Sequence, residues 1–166
     1  HGDALACAQT LDSGSVQTIV TSPPYFGLRD YGRDGQMGAE PTPAEYVARM
    51  VELFHELRRV LADDGTLWLN LGDSYLDQQL AGVPWTVAIA LKADGWRLRS
   101  DIIWSKPNPM PESVTDRCTK SHESIFLFAK SEKYYFDNEA IKEQAIGGTP
   151  GNTKPTKGGR AYKDGA

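Results

Sequence analysis

Ser22-Pro23-Pro24-Tyr25 is the stretch of this chain whose residue types can do chemistry, and it directly follows the run Val16 to Thr21. Each proline locks its own φ and removes a backbone donor. The carbonyls of Ser22 and Pro23 therefore lie in a stiff, extended segment that no sheet or helix partner is bound to claim. A hydroxyl, one or two free carbonyls and a π-face are then presented together at a strand end. That set suits gripping a planar group that carries an NH2. As a bare pattern the tetrad is as often only a turn after a strand. Two things favour the chemical reading: the buried apolar strand before it and the glycine-rich, charged loop after it, Gly27 to Gly32. In open α/β sheets, ligands bind beyond the carboxyl ends of strands.

Three further groups could contribute. Gly2-Asp3-Ala4-Leu5 lies nineteen residues before the motif, counted from Asp3 to Ser22, and reads plainly as a turn capping the segment Ala4 to Leu11. Asn70-Leu71-Gly72-Asp73-Ser74-Tyr75 closes a second strand, as a simple turn or as a pocket wall with Asn70 or Asp73 facing inward. The run Ile102 to Pro111, then Arg117 and Ser121-His122-Glu123-Ser124, reads as a core tryptophan (Trp104), a rigid proline loop and the start of another strand. His122 reads as a structural hydrogen-bonder rather than a base.

The elements that must position these residues alternate. Val16 to Thr21 is a short buried strand. Pro41 to Asp63 is a helix: Thr42 can cap it, Pro43 suits its first position and Glu45 falls in its first turn. Tyr46, Met50, Leu53, Leu57, Val60 and Leu61 recur at helical spacing and give it one apolar face. Asp64-Gly65 ends that helix, and Thr66 to Leu71 is the second strand. Pro84 to Ala93 is a shorter helix stopped by Asp94-Gly95, Trp96 to Trp104 a third strand, and Glu123 to Lys130 a fourth. Strands separated by helices of this length predict βαβ units and a mostly parallel sheet. The last two strands lack a helix between them and are expected to pair antiparallel, as a hairpin-like edge.

The chain has 166 residues, 40% hydrophobic and 24% charged, which fits one domain with a real core. No 18-residue apolar run is present, so no membrane partner is expected. It begins at His1 rather than Met, which reads as a lost N-terminus. Cys7 and Cys118 have no metal-ligand spacing, so neither a metal nor a disulfide framework is expected and a reducing compartment is the simpler reading. Net charge is −4, yet basic residues outnumber acidic ones seven to five from Arg97 to Lys133. A local basic face on an acidic body could hold phosphate, though a merely solvated surface explains the charge equally well.

The ordered set of Asp3, the Ser22 to Tyr25 tetrad and the run Trp104 to Lys130 resembles the DNA amino-methyltransferases of the N4-cytosine/N6-adenine family. The likeness is to the permuted class, where the Ser/Asp-Pro-Pro-Tyr motif comes first, and it covers residues 1–146. The resemblance implies an α/β fold: a Rossmann-like methyltransferase sheet, mostly parallel with an antiparallel edge hairpin, incomplete in this chain. It implies S-adenosylmethionine as cofactor, with Asp3 and the Ala4 backbone reading its adenine and Lys106 reaching its carboxylate or a phosphate. It implies double-stranded DNA as partner, with a base flipped from the duplex. Ser22 and a motif carbonyl would hold the amine, Pro23 and Pro24 would set the segment, and Tyr25 would stack on the base. Serine at the first motif position leans toward N4 of cytosine over N6 of adenine. A restriction endonuclease partner, a homodimer and the cytoplasm of a prokaryotic or phage-infected cell are the settings it suggests.

Other chemistries find less support. Attack at a ring carbon of cytosine needs a cysteine nucleophile beside the motif, and neither cysteine is there. Deamination needs zinc-spaced His and Cys. Two readings stay open beside the leading one: an RNA or protein-amide acceptor, and a catalytically silent module that only binds nucleic acid or a partner subunit. The family's Phe-x-Gly-x-Gly cofactor loop has no counterpart, and Gly147 to Gly151 does not follow an apolar strand. Residues 147–166 are therefore expected to be a flexible linker or the start of a target-recognition region. Residues 1–146 are expected to form the catalytic subdomain, and the 166 residues alone are not expected to bind cofactor strongly.

Overall fold

The computed structural model describes residues 2–143; the expected linker at 147–166 lies outside the described residues. The chain divides into two compact units, His1–Tyr135 and Phe136–Ala166. Every helix and strand described belongs to the first. In the second, Asp137 Oδ1 accepts from the amides of Glu139 and Ala140.

The first helix, α1 (Ala4–Gln9), is short and capped by Asp3, whose Oδ1 accepts from the Ala6 amide at 3.0 Å. Strand β1 is Val16–Thr21, as its sequence suggests, but none of its residues is buried, contrary to expectation, because it takes an edge of the sheet. Helix α2 (Pro43–Val60) starts where expected: Thr42 is extended, its Oγ1 accepts from the Glu45 amide at 3.3 Å, and Pro43 occupies the first turn. Arg58 and Arg59 in the last turn complement the helix dipole.

The end of α2 differs from expectation. It stops at Val60, and strand β2 (Leu61–Leu71) begins at once, so Asp64-Gly65 lies inside a strand instead of ending a helix. The cause is pairing with β1. Val16 pairs with Leu61 and Thr18 with Thr66, with an irregularity between them that absorbs the extra residues. Gly65 fits there because a Cβ would meet the Gln17 carbonyl oxygen at 2.8 Å. Asp64 is occupied as well, accepting from Gln17 Nε2 at 2.9 Å.

Beyond β2 the chain makes a small hairpin, β3 (Tyr75–Leu76) with β4 (Gln79–Leu80), that the sequence did not announce. Its turn places Asp77 and Gln78 at positive φ without any glycine, and Gln is a rare choice there. Helix α3 (Val83–Ala93) starts from Gly82 at φ 69°, which offers no side-chain cap. Asp73 supplies it from a distance, accepting from the amides of Gly82 and Val83 at 2.9 and 3.1 Å. A carboxylate there also suits the positive end of the helix.

Strands β5 (Arg97–Ser105) and β6 (His122–Ala129) complete a four-stranded sheet in the order β1-β2-β6-β5. Strands β1 and β2 pair parallel; β6 pairs antiparallel with both β2 and β5. Three of the four strands therefore run one way and β6 runs against them. The expected antiparallel pairing of the last two strands holds, but β6 is inserted beside β2 and β5 takes the edge. Leu67, Leu69 and Leu71 of β2, with Phe126 and Phe128 of β6, share one buried cluster with Tyr46, Met50 and Phe54 of α2 and Val87 and Leu91 of α3. The register aligns Val20, Trp68 and Leu127 across the opposite face, where Val20 is 77% exposed.

Candidate active site

The motif leaves β1 at its carboxyl end, and its four residues are divided between two tasks. Pro24 is fixed from below: the Tyr46 hydroxyl, on the fully buried face of α2, donates to the Pro24 carbonyl at 2.9 Å. Burial, with Glu40 nearby, pushes the Tyr46 phenol well above its ordinary pKa, so it remains a donor. Among the described residues the Pro23 carbonyl accepts no hydrogen bond. Tyr46→Phe orphans the Pro24 carbonyl, and a lost buried partner costs about 1–3 kcal/mol. Urea unfolding of the variant is expected to show that loss, with an unchanged midpoint the contrary result.

Tyr25 is held by polar groups from three elements. Its hydroxyl accepts from Ser22 Oγ at 3.0 Å and from Asn70 Nδ2 at 3.1 Å, and donates to Glu123 Oε2 at 3.0 Å. Asn70 also donates to Glu123 Oε2 at 3.0 Å, and Lys106 forms an ion pair with Glu123 Oε1. The Tyr25 ring stands against Gly72, where a Cβ would meet its Cε2 at 2.6 Å. Burial raises the Tyr25 pKa, reinforced by the Glu123 charge, so the phenol stays protonated. Burial also works against ionised Glu123, but donors Lys106, Asn70 and Tyr25 outweigh it and hold the carboxyl below its ordinary pKa.

Three concavities meet at Ser22. One of about 950 Å³ is bounded by Asp3, Ala4, Ser22, Pro23 and Pro24, with Arg49 and Glu52 of α2. A second, of about 350 Å³, is lined by Ser22 to Tyr25 together with Arg29, Lys106 and Glu123. The third, about 710 Å³, lies on the uncovered sheet face between Val20, Trp68 and Trp104, with Asn70 and Glu123 at its rim. The structure thus brings Asp3 and Ala4 to the same cavity as the motif. Lys106 lies on the other side, paired to Glu123 beside Tyr25, and does not border the cavity of Asp3.

Asn70 faces the motif, as one of the two sequence readings has it; Asp73 does not, being spent on the start of α3. His122 opens β6, is exposed, and its ring makes no hydrogen bond among the described residues, contrary to the expected structural role. Glu123, Tyr46 and Gly72 were not singled out as site residues. A faint signal existed for the β2 terminus: on the face opposite Leu67, Leu69 and Leu71 the residues pass from Trp68 to Asn70 and then Gly72. Glu123 stands in the run Ser121 to Ser124, but its contact with Tyr25 follows only from β6 lying beside β2.

Solved structures share this α/β fold. The structure titled PvuII DNA methyltransferase (cytosine-N4-specific) superposes with a TM-score of 0.69 at 20% identity, over 92% of this chain and 58% of that one. A complex of M1.HpyAVI with SAM gives 0.56 at 19% identity, over 88% and 62%. In sequence, the type II methyltransferase M.Cfr9I of Citrobacter freundii is 48% identical over 177 residues, covering 89% of this chain and 59% of that protein. The DNA methylase family of N6 and N4 methyltransferases matches residues 16–160. The chain belongs to that family, and it spans about 59% of the length of that relative.

Proposed function

We propose that this chain carries the base-holding half of an S-adenosylmethionine-dependent DNA amino-methyltransferase, with N4 of cytosine as its target. The observation that supports it most is the position of Ser22, shared by the cavity of Asp3 and Ala4 and the cavity of Tyr25 and Glu123. A donor on one side and an acceptor on the other would meet at that hydroxyl. The larger cavity, at about 950 Å³, falls in the range of small-molecule sites. Asp3 and Ala4 would hold the adenine end of S-adenosylmethionine, which supplies a methyl group on a sulfonium centre.

The chain's own residues do the rest by placement. An exocyclic amine is a poor nucleophile because its lone pair is delocalised into the ring. Hydrogen bonds from its two N–H groups to Ser22 Oγ and the Pro23 carbonyl favour the pyramidal nitrogen, whose lone pair is then aimed at the methyl. Positioning of this kind supplies most of the acceleration. Tyr25, on the wall of the smaller cavity, would stack on the flipped base. Lys106 is assigned to the acceptor side rather than to the cofactor, because it is tied to Glu123. The named relative is a type II methyltransferase, which makes a restriction-modification system, with an endonuclease partner, the proposed setting.

The test is to express the complete reading frame with labelled S-adenosylmethionine and duplex DNA, then digest to nucleosides. N4-methylcytosine is the expected product. N6-methyladenine would overturn the choice of base, and unlabelled DNA would overturn the whole reading.

A further inference from the structure

We propose that Ser22, Tyr25 and Glu123 form a one-directional proton relay that carries a proton from the methylated amine to the Glu123 carboxylate. The inference rests on the amino-methyltransferase reading above. Ser22 Oγ donates to Tyr25 Oη at 3.0 Å, and Tyr25 Oη donates to Glu123 Oε2 at 3.0 Å. Asn70 fixes the polarity. Its Nδ2 donates both to Tyr25 Oη and to Glu123 Oε2. A phenol oxygen that accepts from Ser22 and Asn70 has only its own hydrogen left to give, and the acceptor before it is an anion. Both O–H bonds therefore point from the motif toward Glu123, leaving Ser22 Oγ free to accept from a bound amine.

The step balances. The amine lone pair forms the N–C bond as the S–C bond breaks with its electron pair going to sulfur. The nitrogen is left with a positive charge and both of its original hydrogens. One of these protons passes to Ser22 Oγ as the Ser22 proton passes to Tyr25 and the Tyr25 proton to Glu123 Oε2. The products are a neutral methylamine, unchanged Ser22 and Tyr25, and a neutral carboxylic acid that later returns its proton to solvent. A nitrogen cation that has lost conjugation with its ring is strongly acidic, so a carboxylate is base enough.

The surroundings keep Glu123 ionised before the reaction. Lys106 is paired to its other oxygen, and Arg29 lies across the shared cavity with Tyr31. Asp73, Glu112, Lys120 and His122 line the adjoining concavity. Burial disfavours the charge, but the donors on the carboxylate prevail and lower its pKa. A phenylalanine or tryptophan at position 25 would have no hydroxyl at this point. The relay therefore depends on the tyrosine hydroxyl and not on the ring alone.

The test is single-turnover methyl transfer by the protein expressed from its complete reading frame, with duplex DNA binding measured in parallel. Tyr25→Phe keeps the ring on Gly72, and Glu123→Gln keeps the side-chain shape. Each is expected to slow transfer about 100-fold, within the usual range for proton-transfer groups, with DNA affinity within about twofold. The double variant is expected to be no slower than either single one, because the two act as a unit. Glu123→Ala should be partly restored by added carboxylates in order of basicity, acetate before formate before chloroacetate. A purely structural role would give no such order. Tyr25→Phe alone decides the matter if the Glu123 variants fail to fold. Wild-type rates in Tyr25→Phe, losses that multiply in the double variant, or rescue that ignores basicity would each overturn the relay. Unlabelled DNA with the wild-type protein would remove the amino-methyltransferase reading, and the relay with it.

Discussion

Ser22→Ala is expected to reduce methyl transfer at least about 100-fold while leaving the fold intact. Ser22 is exposed just beyond β1, and among the described residues its hydroxyl has one partner, Tyr25. Removing it orphans nothing buried, since Tyr25 still accepts from Asn70 and donates to Glu123. Surface changes of this kind stay within about 0.5 kcal/mol. The rate is another matter. The hydroxyl contact to the amine strengthens only as the nitrogen pyramidalises, and loss of one such preorganised contact costs about 100- to 1000-fold. An interaction made only in the transition state lowers kcat and kcat/KM together. Steady-state kinetics beside a thermal melt check both halves, and a full rate with a normal melt would mean that the motif has been misread.

Gly72→Ala is expected to do nearly as much damage from a residue that touches no substrate. A Cβ there would lie 2.6 Å from Tyr25 Cε2 and 2.7 Å from Cδ2. Such a clash is cheap when the neighbour is the loose end of a flexible chain. Here the neighbour is a ring whose hydroxyl is tied to Ser22, Asn70 and Glu123. Either the ring moves and the hydroxyl leaves its three partners, or the β2 terminus moves and carries Asn70 with it. Overpacking of this kind costs about 1–3 kcal/mol, and an ångström of misplacement at a reacting centre can cost about 100-fold in rate. Both losses are expected together, in a denaturant titration and in single-turnover transfer. Wild-type behaviour in either measurement would show that Tyr25 does not need its present seat.

Much of this was legible because the decisive signals are local. The proline pair ends β1 and stiffens the segment beyond it, and Thr42-Pro43 with Glu45 marks the start of α2, as the structure bears out. Where the reading failed, a local signal was overruled by pairing. Asp64-Gly65 is a common helix stop, yet the parallel partner strand draws it into β2. The hairpin at Tyr75–Leu80 lacked the glycine that announces such turns. The site was half legible for a similar reason. Ser22 to Tyr25 can be read in place, but Tyr25 and Glu123 are 98 residues apart, and only the insertion of β6 beside β2 joins them. An apolar strand pattern names a strand without naming its neighbours.

The segment between β5 and β6 is closed at its base: Ser105 pairs with His122, and the Lys106 amide donates to the Ser121 carbonyl at 2.7 Å. Residues 106–121 thus leave the sheet and return to it at one point, with Lys106 and Glu123 both at that neck. Further out, Arg117 lies over the Tyr75 ring at 4.0 Å and pairs with Glu112, while Met110 is 87% exposed. The entropic cost of lengthening such a loop grows slowly, by about 0.6 kcal/mol per doubling. The outer residues can therefore be exchanged, shortened or extended while the neck stays as it is. Inheritance can vary what the tip touches without having to retune the charge pair at its root.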